Sequence, residues 1–129
     1  MINYGFKKKI SLPFDKAEEA VTKELKEKGF GILTKIDVKE KLKEKLGIDF
    51  PSYVILGACN PPYAHKSIEA EEDIGLLLPC NVLIYEKEGT TILSIIKPST
   101  AMGMIESQAL KQIATEVEAK LKEVFDSVK

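Results

Sequence analysis

The sequence predicts an α+β domain: five strands in one sheet that is at least partly antiparallel, two long helices packed against it, and two short helices inserted between strands. Three observations predict it. Apolar residues recur at every second position in some stretches and at helical spacing in others, and the two patterns alternate along the chain. The strand-like runs 82–85 and 91–96 are separated by a short segment holding Lys87, Glu88 and Gly89, which is a β-hairpin signature. Ile105, Leu110, Ile113, Val117, Leu121, Val124 and Val128 mark one helix of roughly six turns, the longest amphipathic run and one able to cover a sheet face.

In chain order, residues 8–12 read as the first strand, with Ile10 and Leu12 on one side, Lys9 and Ser11 on the other, and Pro13 ending it. Asp15 and Glu18 have the spacing of a capping box, and Ala17, Ala20, Val21 and Leu25 keep helical spacing up to Gly29. Phe30, Ile32, Thr34 and Ile36 then alternate as a strand with one buried face. Asp37 and Glu40 repeat the capping pattern before a short surface helix that carries Val38, Leu42 and Leu46 and stops at Gly47; its lysine-rich outer face reads as solvated.

Residues 52–58 are apolar on both faces, as in a buried strand, and lead to Cys59. Asn60 followed by Pro61 opens a helix that runs to about residue 72, with Tyr63, Ala64 and Ile68 inward and Glu69, Glu71, Glu72 and Asp73 outward. The hairpin and the long helix complete the order, and no repeat or linker interrupts it.

With 129 residues the chain fits a single domain, 1–129, of ordinary globular composition: 44% hydrophobic and 30% charged. Nineteen basic residues against 20 acidic ones give a net charge of −1, which provides no broad field for a phosphate backbone or an anionic membrane. Neither nucleic acid nor membrane is an expected partner. All the basic residues are lysines, so bidentate guanidinium recognition is missing too. The N-terminus lacks the pattern of a signal peptide, so a cytoplasmic location with reduced thiols is expected.

The chemistry-bearing residues concentrate in residues 53–86, which hold both cysteines and the one histidine. Cys59 and Cys80 lie 21 positions apart, matching neither a C-x-x-C pair nor a zinc ribbon. Cys59 stands just before a helix N-terminus, where amides and the helix dipole favour a thiolate; the plainer reading is a small core hydrophobe. Cys80 has the stronger claim to a core role. His65, one turn along the same helix from Pro61, is in reach as a base or second ligand, though spacing supplies no companion carboxylate.

Met102 and Met104 flank Gly103 before the last helix. With Cys59, Cys80 and His65 they are donors suited to copper(I), haem iron or a thiophilic ligand, although methionines in such places more often fill gaps in a core. The chain has no glycine-rich phosphate-loop pattern.

The segment LGACNPPYAHKSIEAEEDIGLLLPCNVLIYE, with Cys59-Asn60-Pro61, Ala64 and Leu78-Pro79-Cys80-Asn81-Val82, resembles the bacterial and archaeal family catalogued as domain of unknown function 302. The resemblance extends over nearly the whole chain through the order of its elements. It implies a mostly antiparallel five-stranded sheet in a TATA-binding-protein-like arrangement, strand, helix, four strands, helix, with small helices inserted. Cys59, Pro61, Pro79 and Cys80 carry over as motif positions, without an assigned reaction. Such a fold supports a pocket between the curved sheet and the last helix.

The expectation that follows is a small binding module for a small molecule or a soft metal, with a pocket built from Cys59, Asn60, Pro61, Cys80, Met102 and Met104. Two alternatives from other classes are a thiol-dependent or redox enzyme using Cys59 with His65, and a structural or regulatory homodimer. The sequence specifies no cofactor.

Overall fold

The computed structural model describes residues 2–129. The strands are β1 (Gly5–Ile10), β2 (Gly31–Asp37), β3 (Tyr53–Cys59), β4 (Cys80–Lys87) and β5 (Thr90–Ile96). The helices are α1 (Phe14–Glu27), α2 (Val38–Leu46), α3 (Pro61–Ala70), the single turn α4 (Pro98–Ala101) and α5 (Gln108–Ser127), with a 3-10 segment over Glu72–Leu77. The sheet order is β1-β5-β4-β3-β2, and every neighbouring pair is antiparallel.

Helices α1 and α5 bury one stripe each against one sheet face. Ala17, Val21 and Leu25 of α1, spaced by four, and Val117, Leu121 and Val124 of α5 meet Val54, Leu56, Val82, Ile84, Leu93 and Ile95. Each fully buried aliphatic side chain is worth about 1.5–3 kcal/mol relative to exposure, so this contact dominates the fold's stability. A smaller cluster of Ile74, Met102, Leu110 and Ala114 lies beside the main core. Among the described residues, no helix is long and apolar enough to cross a membrane.

Beyond α3, where Ile68, expected inward, is 47% exposed, local details depart from expectation in three places. Strand β1 runs from Gly5 to Ile10 rather than over 8–12, because pairing with β5 begins at Gly5 opposite Ile96; Ser11 instead donates its amide to the carbonyl of Lys129 at 2.9 Å. Helix α1 starts at Phe14 with Pro13 in the cap position, so Asp15 lies inside the first turn and makes no capping bond. The second box forms: Asp37 accepts from the Glu40 amide at 3.0 Å, and Gly47 closes α2 at φ 67°.

The third departure is in β2. Its pairing with β3 slips by one residue between Ile32 and Thr34, leaving Leu33 as a bulge. One inserted residue exchanges the two faces. Ile32 pairs with Ala58 on the helix-covered side, but beyond the bulge Lys35 and Asp37 take that side, opposite Leu56 and Val54. Lys35 accordingly reaches Glu18 of α1 at 2.9 Å, while Ile36, expected in the core, is 45% exposed.

Candidate functional site

Strand β3 delivers Cys59 to the same end of the sheet at which β4 begins with Cys80, and the ladder sets Cys80 opposite Ala58. The chain between the two strands returns over this end as α3 and the 3-10 segment, and the Leu78–Pro79 peptide is cis. Between the sheet end, α3 and α5 lies a cavity of about 280 Å³. The space exists because small residues stand where the layers meet: Ala58 on the sheet, Ala64 and Ser67 on α3, Ala114 on α5. A close-packed interior fills such positions with larger side chains.

Pro79 fixes where β4 enters. Its ring lies over Gly57, where an added Cβ would sit 2.6 Å from it and would also meet the Thr34 hydroxyl. Asn60 is buried, but its Nδ2 donates to the Lys28 carbonyl at 3.4 Å rather than leaving its side chain to cap α3. That contact ties the cavity's edge to the end of α1, where Gly29 at φ +88° leaves 3.2 Å between a would-be Cβ and Asn60 Nδ2. On the outer rim the Tyr63 hydroxyl donates to Glu116 of α5 at 3.1 Å, and Gln112 donates to the same carboxylate at 3.0 Å. These two hydrogen bonds hold the Glu116 pKa below its ordinary value.

The cavity wall is almost entirely apolar. Ser67 spends its hydroxyl on the Tyr63 carbonyl at 2.8 Å and Asn60 its Nδ2 on Lys28, which leaves the Asn60 Oδ1 and the two thiols as the groups able to address a guest. Burial pushes the Cys80 thiol up to about 11, with the nearby Cys59 adding to it, and burial raises Cys59 as well. Both shifts favour the neutral thiol, in line with the plainer reading of the two cysteines and against a thiolate at the start of α3.

Cys59, Asn60, Cys80 and Met102 all line this cavity. Pro61 and Met104 do not; Pro61 is exposed on the outer side of the first turn of α3, and Met104 is 78% exposed. His65 is not brought to Cys59 either, for its side chain is 75% exposed and lies 3.7 Å from Glu69 on the outer face of α3. Among the described residues, no three His, Cys, Asp or Glu side chains converge as a metal centre. Sequence reasoning missed Ala58 and Ala114 as site residues; the available signal was alanine in apolar stripes otherwise filled by branched side chains.

No curated protein matches the chain. Among solved structures it is similar to the uncharacterized conserved protein DUF302 from Bacillus stearothermophilus, at 34% identity and a TM-score of 0.92, over 99% of this chain and 100% of that one. The profile described as "Domain of unknown function DUF302" matches residues 6–128, and its span takes in every strand but the first residue of β1, all the helices and the whole cavity wall. The chain belongs to the DUF302 family.

Proposed function

We propose that this protein binds a small, mainly apolar molecule in the cavity between β3, β4, α3 and α5, oriented by the Asn60 amide and the two neutral thiols. The supporting observation is the cavity itself: apolar walls with few directed polar groups are the usual design of a ligand site. At about 280 Å³ it lies near the lower end of the usual range of roughly 300–1,000 Å³, which suits a guest of one or two rings. Indole is a suitable probe. Added to 15N-labelled protein, it is expected to give saturable shifts at the amides of Ala58 and Ala114, and these should vanish in Ala114→Leu, whose larger side chain occupies the space. Absence of shifts in the parent protein, or equal shifts in the variant, overturns the reading.

A second reading has its own observation: Cys59, Cys80 and Met102 line the same cavity, and their sulfurs are donors suited to a soft ion such as copper(I). Binding would have to expel the thiol protons. Titration with copper(I) against a chelating competitor, with proton release followed in parallel, tests it; unchanged affinity in Cys80→Ala ends it. The thiol-enzyme reading gains nothing from the two residues it invoked, since burial raises the Cys59 pKa and His65 lies on the exposed face of α3.

A further inference from the structure

The helices cover one sheet face, and the strand register defines what lies on the other. In β1, Phe6, Lys8 and Ile10 alternate with Lys7 and Lys9, and the first set belongs to the helix-covered side because Ile10 is in the core. Lys9 is opposite Ile92, Ile92 is opposite Tyr85, and Lys87 is opposite Thr90. These residues therefore share the uncovered face at the hairpin end, where they line a hollow of about 430 Å³. It is separate from the cavity between the helices and the sheet.

The charge there is one-sided. Across all five strands, no position on the uncovered face is Asp or Glu: Asp37 pairs with Val54 and Glu86 with Thr91, both on the covered side. The one carboxylate at the hollow's rim is Glu88, in the turn. Lys7, Lys9 and Lys87, like most of the chain's lysines, form no ion pair among the described residues, and here they stand together around one hollow. Tyr85 is fixed between Tyr53, stacked at 5.1 Å, and Lys7, whose Nζ is 5.8 Å from its ring centre. Lys7 is held at the Tyr85 ring, and Lys9 and Lys87 line the same hollow, so three cations are available there to a single anion.

We infer that the hollow lined by Lys7, Lys9, Lys87, Tyr85 and Thr90 is a second binding site, for a small phosphoryl anion carrying at least about two charges, either inorganic diphosphate or an organic phosphate ester. Lysine serves such groups as a point charge, and the Tyr85 and Thr90 hydroxyls add neutral donors. A second copy of this chain is a poor match for the face, because it would bring three more lysines and no strand carboxylate. A phosphate polymer fits poorly as well, since beyond the hollow the face continues through Leu83, Ile55 and Ile96 rather than through further cations.

Calorimetric titration of the whole protein with inorganic diphosphate and, separately, with phenyl phosphate tests the inference. One saturable site for at least one probe is expected, weakening as salt rises. Lys9→Gln and Lys87→Gln should each reduce affinity about three- to fivefold, the size of an exposed charge contact, and Lys41→Gln on α2 should leave it unchanged. Preference for phenyl phosphate identifies an ester as the ligand class, and preference for diphosphate an inorganic one. The triple variant K7Q/K9Q/K87Q should bind neither probe while keeping a cooperative thermal transition, which shows that it is folded. No saturable heat at millimolar probe, or equal losses in Lys9→Gln and Lys41→Gln, overturns the inference. Ala114→Leu, which fills the other cavity, is expected to leave these titrations unaltered, so the two sites stand or fall separately.

Discussion

The two thiols are where residue-scale physics has the sharpest consequence. Folding raises Cys80 from an ordinary 9.0 to about 11, so between those values the unfolded chain loses the proton while the folded chain keeps it. The folded state then binds more protons than the unfolded one, and stability must fall as pH rises through that window. The full loss amounts to about 2–3 kcal/mol for a two-unit shift. Denaturant melts from pH 8 to 11 should show this decline, and Cys80→Ala should flatten it while lowering stability at every pH; an identical slope in the variant would disprove the assignment. The same scale explains which site residues could be read from sequence. Cys59, Asn60, Cys80 and Met102 stand out by type, and all four line the same cavity. His65 and Met104 stand out equally but point outward, because spacing along a helix fixes relative phase and not which side finds a packing partner. The alanines that create the space look like ordinary core in the sequence.

At the scale of elements, the hairpin and the Asp37 cap were legible, whereas the capping box expected at Asp15 does not form and the Asn60 side chain does not cap α3. Glu88 and Gly89 form a two-residue hairpin loop with φ of 52° and 78°, the positive pair of a type I′ turn. Glu88 is an awkward occupant of the left-handed region, where asparagine is tolerated far better. Glu88→Asn is therefore expected to stabilise the protein by about 1 kcal/mol, raising Tm by a few degrees. An unchanged or lowered Tm in a thermal scan would contradict that account. The bulge at Leu33 was not legible, since Phe30, Ile32, Thr34 and Ile36 alternate without a break and only the pairing with β3 reveals the slip. Gly57 shows another constraint invisible in the sequence, for its bare α-carbon admits the Pro79 ring that steers Cys80 into β4. Gly57→Ala should cost about 1–3 kcal/mol by overpacking against backbone-anchored groups and should weaken binding in the cavity beside it. Chemical denaturation together with the indole titration would detect both effects.

For the whole molecule, the layer arrangement was readable because it follows from the order and period of the elements, whereas the seam between its two apolar clusters was not. The main core joins α1, α5 and the sheet; the satellite core joins Ile74, Met102, Leu110 and Ala114; and the cavity lies where Ala58 of the first faces Ala114 and Met102 of the second. Helix α3 and the 3-10 segment thus form an outer wall that rests on the smaller cluster. The Tyr63–Glu116 hydrogen bond, lying at the exposed rim, fastens that wall to α5. Elements with few buried apolar contacts open below the free energy of global unfolding. Native-state hydrogen exchange should accordingly show α3 and Glu72–Leu77 opening more readily than α1, β4 and β5, and Tyr63→Phe should speed exchange in α3 while leaving β4 unaffected. A cavity ligand at 100 times its Kd would close this difference by up to about 2.7 kcal/mol, since binding requires the wall to be in place. Uniform protection across α3, α1 and β4 would mean that the two clusters form a single cooperative unit, and a guest would then have to enter by another route than movement of this wall.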